Sequence, residues 1–278
     1  MRNQLHPSSL EMHTRCGEQW RRRYVEGEII PPGIAAVTGT ACHSARALNM
    51  HAKLEQHQPL PLPVLQDAAR DALNRAWEKE GVRLLDEERN VGEDKLRGQA
   101  IDKAVRLVRC DAQHLAPTIQ PLQVEWPWTL DLPEPYQDWS LAGTIDLIEV
   151  EGRVRDLKTA AKSPSRQAVQ SSDQLTAYAL AYQKMVQPDS SVIDVALDHL
   201  IDLKQGPRAA TQHDVRTVDD FRVLLARVAA AIDSIRKGVF LPARRTDWWC
   251  SRRWCGYADT CRYFRQDVRY PETEGATV

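Results

Sequence analysis

Alternating apolar and polar residues are clearest near the middle of the chain. Ile145 and Leu147 are the apolar positions of a first run, Gly152 follows in a short connection, and a second run then returns. Alternation predicts a half-buried strand, and a short connection that contains glycine predicts a hairpin turn. The pattern therefore predicts an antiparallel hairpin with strands at 143–150 and 154–159.

Helical periodicity surrounds this hairpin on both sides. Ser8 or Ser9 can cap a first helix, and Thr217 with Asp220 resembles a capping box. Apolar stripes at helical spacing and alternation at strand spacing complete the series. The predicted helices are 8–24, 40–56, 64–80, 96–115, 166–186 and 217–237, and the further predicted strands are 119–130, 192–203 and 209–215. This order suggests an α/β fold in which helices flank a mixed sheet.

The composition of the 278-residue chain sets broad limits. Hydrophobic residues make up 42%, and no apolar run approaches the ~20 residues needed to cross a bilayer. We therefore expect a globular, cytoplasmic protein with no membrane partner. The formal net charge of −1 does not indicate a protein that coats nucleic acid nonspecifically.

The predicted hairpin carries charged residues with a chemical use. Asp156 and Lys158 are two residues apart, so on a strand they project to the same face, and Asp146 lies on the partner strand. Carboxylates bind hard cations, and a nearby lysine can stabilise charge during phosphodiester hydrolysis. A solvated surface ion pair is the alternative for an isolated Asp-x-Lys.

Further polar residues occur in a fixed order around the hairpin. His43 stands near the start of a predicted helix, and Glu125 stands on a predicted strand. Downstream, Gln174 and Tyr178 are four residues apart, which places them on one helix face. Each signal is weak alone, but together with the hairpin they form a series.

This series resembles the RecB-like branch of the PD-(D/E)xK nuclease superfamily, whose pattern is His, Glu, Asp, (Asp/Glu)-x-Lys and Gln-x-x-x-Tyr. The resemblance implies a restriction-endonuclease-like mixed sheet. It implies that His43, Asp146 and Asp156 ligate Mg²⁺ or Mn²⁺, with the carbonyl of Leu157 as a further ligand. The other implied roles are a lysine that assists the attacking water (Lys158), a carboxylate that helps to hold the metal (Glu125), and residues that contact DNA or brace the site (Gln174, Tyr178).

Four of the six cysteines form a second, independent pattern. Cys16 lies near the start, and Cys250, Cys255 and Cys261 lie near the end. Four thiolates suit either a [4Fe-4S] cluster or a structural Zn²⁺, and their spacing does not separate the two. Cys42 and Cys110 fall in predicted helices, where buried or idle thiols are expected.

The resemblance extends to these cysteines. A subgroup of RecB-like nucleases carries one N-terminal and three C-terminal cysteines that bind a [4Fe-4S] cluster. It includes CRISPR-associated spacer-acquisition nucleases and the AddB subunits of bacterial helicase-nucleases. The gap between Cys250 and Cys255 is longer here than is usual in that subgroup. The resemblance therefore favours an iron-sulfur cluster, with a structural Zn²⁺ as the alternative.

Arginines and aromatic residues crowd both cysteine segments. This mixture of cationic and planar groups can grip phosphates and stack unpaired bases. Packing of Trp249 and Trp254 around the metal as a small core is an alternative. The arginines predicted to bind DNA are Arg21, Arg22, Arg252 and Arg253.

These observations predict four segments and one activity. The segments are a helical lobe at 1–115, a nuclease core at 116–237, a cysteine-rich segment at 238–270 and a disordered tail at 271–278. The expected activity is a metal-dependent DNA exonuclease that acts on single strands or open ends in recombination, repair or phage DNA processing.

Such a chain would work in the cytoplasm of a bacterial or phage-infected cell, with a helicase or recombination protein as a partner. The alternatives are an endonuclease of the same fold, a catalytically silent DNA-binding subunit, and an iron-sulfur redox protein.

Overall fold

The computed structural model describes residues 3–264. The predicted tail at 271–278 and the end of the predicted segment 238–270 lie outside these residues. Within them, the α-helices are α1 (Pro7–Arg15), α2 (Gly17–Tyr24), α3 (Ile34–Gln56), α4 (Leu62–Glu80), α5 (Asp86–Arg89), α6 (Glu93–His114), α7 (Asp173–Met185) and α8 (Val218–Arg236). The strands are β1 (Asn3–Leu5), β2 (Pro121–Asp131), β3 (Trp139–Glu149), β4 (Val154–Ala160), β5 (Val192–Leu203) and β6 (Gly206–Thr217).

Three helix boundaries differ from the sequence prediction by more than three residues. The single helix predicted over 8–24 is wrong, because Cys16 has an extended backbone (φ −160°, ψ 100°) that separates α1 from α2. Helix α3 begins at Ile34 rather than Thr40. Helix α7 begins at Asp173 rather than 166, because the Ser172 hydroxyl accepts a hydrogen bond from the Leu175 amide at 3.2 Å and caps the helix there.

The strands form one mixed sheet in the order β1-β3-β4-β5-β6, with β2 paired to β3 outside that path. Strands β3 and β4 are antiparallel, and Gly152 in the turn between them has φ 84°. The predicted hairpin is confirmed. Strands β4 and β5 are parallel, and α7 lies between them in the chain.

Each face of the sheet has its own apolar core. On one face Leu147, Leu157 and Leu200 pack with α3, α4 and α6. On the other face Ile145 and Val154 pack with α7, α8 and α1. Strand β1 pairs with β3, and helix α1 packs against the sheet and its second helical layer. Among the described helices, none is long and apolar enough to cross a membrane.

Candidate active site

The edge of β3 has a gap in its pairing. β2 pairs with one edge along almost the whole strand, whereas on the other edge β1 pairs at 139–141 and β4 pairs only at 147–148. Asp146 lies at the end of this gap, and its Oδ2 accepts a hydrogen bond from the Leu157 amide at 3.2 Å. The side chain thus satisfies a backbone donor where β3 and β4 separate, which brings Asp146 next to β4.

Glu125 reaches the same place through an unusual backbone. Its neighbours pair in regular register, Val124 with Leu147 and Trp126 with Ile145, but Glu125 itself has φ 49°. A left-handed conformation in a residue other than glycine costs about 1–3 kcal/mol and often marks a functional site. This conformation brings Glu125 to the wall of the cavity that Asp146 also lines.

Helix α3 brings His43 to the two strands. A Cβ atom added to Gly39 would lie 3.2 Å from the Thr159 hydroxyl, so the helix approaches β4 closely where it has no side chain. One turn further along, His43 Nδ1 lies 3.1 Å from Asp146 Oδ2. The histidine and the aspartate predicted to be ligands are therefore in direct contact.

Asp156 is enclosed in the protein without adequate partners. Its side chain is 0% exposed, and the Lys158 ammonium lies 2.9 Å from Oδ2. Despite this short distance, neither oxygen of the Asp156 carboxylate accepts a hydrogen bond with good geometry. Burial, together with the nearby Asp146 charge, raises the pKa of Asp156 to about 6, although Lys158 opposes the shift.

The other titrating groups show how charge is distributed in the site. Burial alone would raise the pKa of Asp146, but the hydrogen bond with His43 outweighs it and lowers that pKa. The same contact outweighs burial at His43 and raises its pKa. Partial desolvation and then Asp146 raise the pKa of Glu125. Because Glu125 is exposed, solvent screens this effect.

Gln174 and Tyr178 hold the lysine. Lys158 Nζ donates to Gln174 Oε1 at 2.7 Å, and Gln174 Nε2 donates to the Tyr178 hydroxyl at 2.6 Å. Tyr178 is buried, so the chain of hydrogen bonds ends on a fixed group. The helix face predicted from the four-residue spacing therefore braces Lys158.

A cavity of about 780 Å³ opens in front of these groups and is lined by His43, Glu125, Asp146 and Lys158 among others. Within residues 3–264, no three histidine, cysteine, aspartate or glutamate side chains form a ready-made metal site. Mg²⁺ is commonly held through one or two carboxylates and keeps several waters. The Asp156 oxygens, which accept no hydrogen bond of normal geometry, lie close to Asp146 and fit such a partial set of ligands.

The four predicted cluster cysteines lie together. Cys16, Cys250, Cys255 and Cys261 line one small cavity of about 30 Å³, and all four are free thiols. The break between α1 and α2 turns Cys16 towards the C-terminal segment, where its Sγ accepts a hydrogen bond from the Ala243 amide at 3.3 Å. The two ends of the described chain therefore meet at the cysteines.

The remaining two cysteines are buried, as expected from their helices. Cys42 is 1% exposed and Cys110 is 3% exposed. Burial raises the pKa of the Cys42 thiol to about 12, so it remains protonated at neutral pH.

Most of the arginines predicted to bind DNA are paired within the protein. The pairs are Arg21 with Glu18 at 2.8 Å, Arg22 with Glu28, and Arg252 with Asp259 at 2.6 Å. Arg253 is exposed and has no ion pair within the described residues. Arg15 belongs to the basic segment that the sequence shows around Cys16 but was not among the arginines predicted to bind DNA, and it lines a cavity together with Lys158 and Gln174.

Comparison with known proteins places this geometry in a family. The family model of the PD-(D/E)XK nuclease superfamily matches residues 4–262. No curated protein matches the sequence significantly. A Eubacterium rectale crystal structure named "Putative exonuclease" superposes with a TM-score of 0.52 at 12% identity, covering 97% of this chain and 90% of that chain. The crystal structure of SSO0001 gives a TM-score of 0.48 at 11% identity, with 95% and 87% covered. The family match spans nearly the whole chain, and the chain belongs to the PD-(D/E)XK nuclease superfamily.

Proposed function

We propose that this protein is a metal-dependent deoxyribonuclease that hydrolyses phosphodiester bonds at the separation of β3 and β4. The observation that carries the proposal is the buried carboxylate of Asp156, which accepts no hydrogen bond of normal geometry and whose ion pair within the described residues is with Lys158, beside Asp146. Superfamily membership implies a nucleic-acid substrate and a divalent metal. The residues that would hold Mg²⁺ or Mn²⁺ are His43, Asp146, Asp156 and the carbonyl of Leu157, with Glu125 at the cavity wall.

The bound cation would supply Lewis-acid stabilisation of the negative charge that develops on the phosphate. The protein's own groups do the positioning. Lys158 donates one of its three N–H groups to Gln174 and faces Asp156 Oδ2 at 2.9 Å, which leaves the third for a reacting oxygen. His43 fixes Asp146 through their direct contact. Tyr178 prevents Gln174 from rotating away.

We propose further that the enzyme acts on open ends or single strands. This chain contains no Gly-x-x-x-x-Gly-Lys-(Ser/Thr) motif, so it does not carry the phosphate loop with which helicases use ATP. It would therefore act on ends that are already open or receive them from a helicase or recombination partner. The structural similarity to a protein named as an exonuclease is consistent with this mode.

Digestion of end-labelled single-stranded, duplex and closed circular DNA tests the activity and its mode. The assay is run with EDTA, Mg²⁺ or Mn²⁺, and Lys158→Ala is compared with Lys162→Ala, a control at an exposed lysine. We expect metal-dependent shortening of open ends that is lost only in Lys158→Ala. Cleavage of closed circles would instead show an endonuclease, and digestion that persists in Lys158→Ala would contradict the proposed site.

For the four cysteines we propose a [4Fe-4S] cluster, with structural Zn²⁺ as the alternative. A common cavity, the absence of a disulfide among the described cysteines and the amide donor to Cys16 support a thiolate-bound centre. Because no three cysteine side chains within residues 3–264 form a ready-made metal site, either centre requires the cysteine segments to rearrange. Iron, sulfide and zinc analysis of anaerobically purified protein distinguishes the two centres.

A further inference from the structure

A second cavity lies beside the candidate active site and shares two of its residues. This cavity has a volume of about 520 Å³ and is lined by Lys158 and Gln174, by Arg15 of α1, and by Trp248 and Trp249 of the C-terminal segment. Its size falls within the range of sites that bind small ligands. A group held here would lie next to the lysine that faces the phosphate to be cleaved.

Arg15 supplies a positive charge that the protein does not neutralise. It is half-buried, and within residues 3–264 it has no carboxylate partner. Its one hydrogen bond is a long contact of 3.4 Å to Gln19, and its buried Nε has no partner. Because a buried donor without a partner is costly, this guanidinium is suited to a phosphate oxygen.

Trp248 supplies an exposed aromatic surface. Its residue is 61% exposed although it is large and apolar. Its ring makes edge contacts with Trp249 at 5.4 Å and with Trp254 at 4.9 Å between centroids. Such contacts hold the indole in place, while more than half of the residue stays exposed. A fixed, open aromatic face stacks bases of single strands with little sequence preference.

Acidic residues limit where a phosphate could lie. Glu11 and Asp173 also line the cavity. The Asp173 carboxylate is paired with Arg227 at 2.9 Å, whereas Glu11 is exposed at the rim. The cavity lining nevertheless carries three cations, Arg15, Lys158 and Arg227, against these two acidic residues, which favours a phosphate.

We propose that this cavity binds one unpaired nucleotide of a single strand, next to the phosphate that is cleaved. Trp248 stacks on the base, and Arg15 binds the phosphate that follows. The inference rests on the proposed nuclease function and specifies its substrate as a strand with unpaired bases. A base that remains paired in a duplex does not offer a free face to Trp248.

Binding of a fluorescent oligothymidylate in EDTA tests the cavity without catalysis. Trp248→Ala should weaken binding about 5- to 100-fold, and Trp248→Phe should restore most of it, because stacking needs an aromatic face. Tyr24→Ala is the control, since Tyr24 is an aromatic residue that is 47% exposed, does not line the cavity and packs on Trp20 rather than on Trp248. Equal losses in Trp248→Ala and Tyr24→Ala would overturn the proposal.

The salt dependence tests Arg15 separately. Arg15→Ala should reduce the slope of log affinity against log salt by about 0.7, the contribution of one phosphate contact in a single strand. Arg75→Ala, which removes an exposed arginine of α4, should leave the slope unchanged. An unchanged slope in Arg15→Ala, or an equal weakening of blunt duplex binding, would overturn the proposal.

The digestion assay on the same variants separates the two proposals. Wild-type protein that binds single strands through Trp248 and Arg15 but cleaves nothing would overturn the nuclease function alone. Wild-type protein that digests DNA while both variants bind and digest normally would overturn the nucleotide site alone.

Discussion

Two neighbouring groups of charged residues differ in how many cationic partners their carboxylates have. In the candidate active site, three carboxylates share one lysine and one histidine. Behind β4, a buried network pairs each carboxylate with an arginine. The ion pairs of this network are Arg46–Asp111, Arg46–Asp198 at 2.7 Å, Arg155–Asp198 at 2.8 Å and Arg155–Glu149 at 2.9 Å.

Asp156 and Asp198 show the difference most clearly, because both side chains are 0% exposed. Burial alone would raise the pKa of Asp198. The charges of Arg46 and Arg155 outweigh burial, and the pKa of Asp198 is lowered. The pKa of Asp156 is instead raised to about 6.

Arg155 directly precedes Asp156 on β4, and the two side chains project to opposite faces. The fold can thus neutralise a buried carboxylate at this strand, and at Asp156 it leaves room for a cation.

The largest effect is expected when the paired group is disturbed. Asp198→Asn leaves Arg46 and Arg155 without a shared carboxylate, and breaking a buried pair costs about 3–5 kcal/mol. Denaturant unfolding measures this loss. Asp202→Asn on the same strand is the control, because Asp202 is partly exposed and its contacts are 3.5 Å long. Similar losses in the two variants would show that the buried network stabilises the fold no more than the partly exposed contacts of Asp202 do.

The same substitution at Asp156, whose cationic partner Lys158 is partly exposed, should separate activity from stability. Asp156→Asn removes a proposed metal ligand, and we expect a loss of about 10³-fold in DNA cleavage, equivalent to about 4 kcal/mol. In EDTA its free energy of unfolding should not fall, because a buried charge has been removed. A variant that unfolds as readily as Asp198→Asn would contradict the comparison.

The pH dependence of stability should have opposite signs at the two sites. With the pKa of Asp156 raised above its usual value, the folded state binds more protons, so stability falls as pH rises from about 4 to about 6. The decrease is at most about 3 kcal/mol. Asp198, whose pKa is lowered, instead loses stability as pH falls below about 4.

Unfolding in EDTA between pH 4 and 7, with wild type compared with Asp156→Asn, isolates the effect of Asp156. A difference between the two proteins that does not change with pH would contradict the raised pKa.

The smallest effect concerns the backbone of Glu125. With φ at 49°, Glu125→Gly should be more stable than Glu125→Ala by about 1 kcal/mol, the reverse of the usual order in a strand. The same pair of substitutions at Gln123, an exposed position on the same strand, should show the usual order. Thermal unfolding of the four variants checks this, and both variants at Glu125 should cleave DNA more slowly.

Features with a local signal could be predicted from the sequence. The hairpin follows from alternation and a glycine turn, and the contact between Gln174 and Tyr178 follows from helical spacing. Arg46 and Asp198 lie 152 positions apart, and no periodicity records such a pair. The extended backbone of Cys16 and the left-handed one of Glu125 arise from tertiary contacts that override local preference.

The break at Cys16 has a mechanical consequence. Arg15 lines the proposed nucleotide cavity, and the next residue, Cys16, lines the cysteine cavity. In the same way, Trp249 lines the first cavity and the next residue, Cys250, lines the second. Binding of the four thiols to the proposed centre would therefore also fix two walls of the neighbouring cavity. A thiol-directed oxidant should loosen the grip on a strand while leaving the carboxylates on the sheet undisturbed.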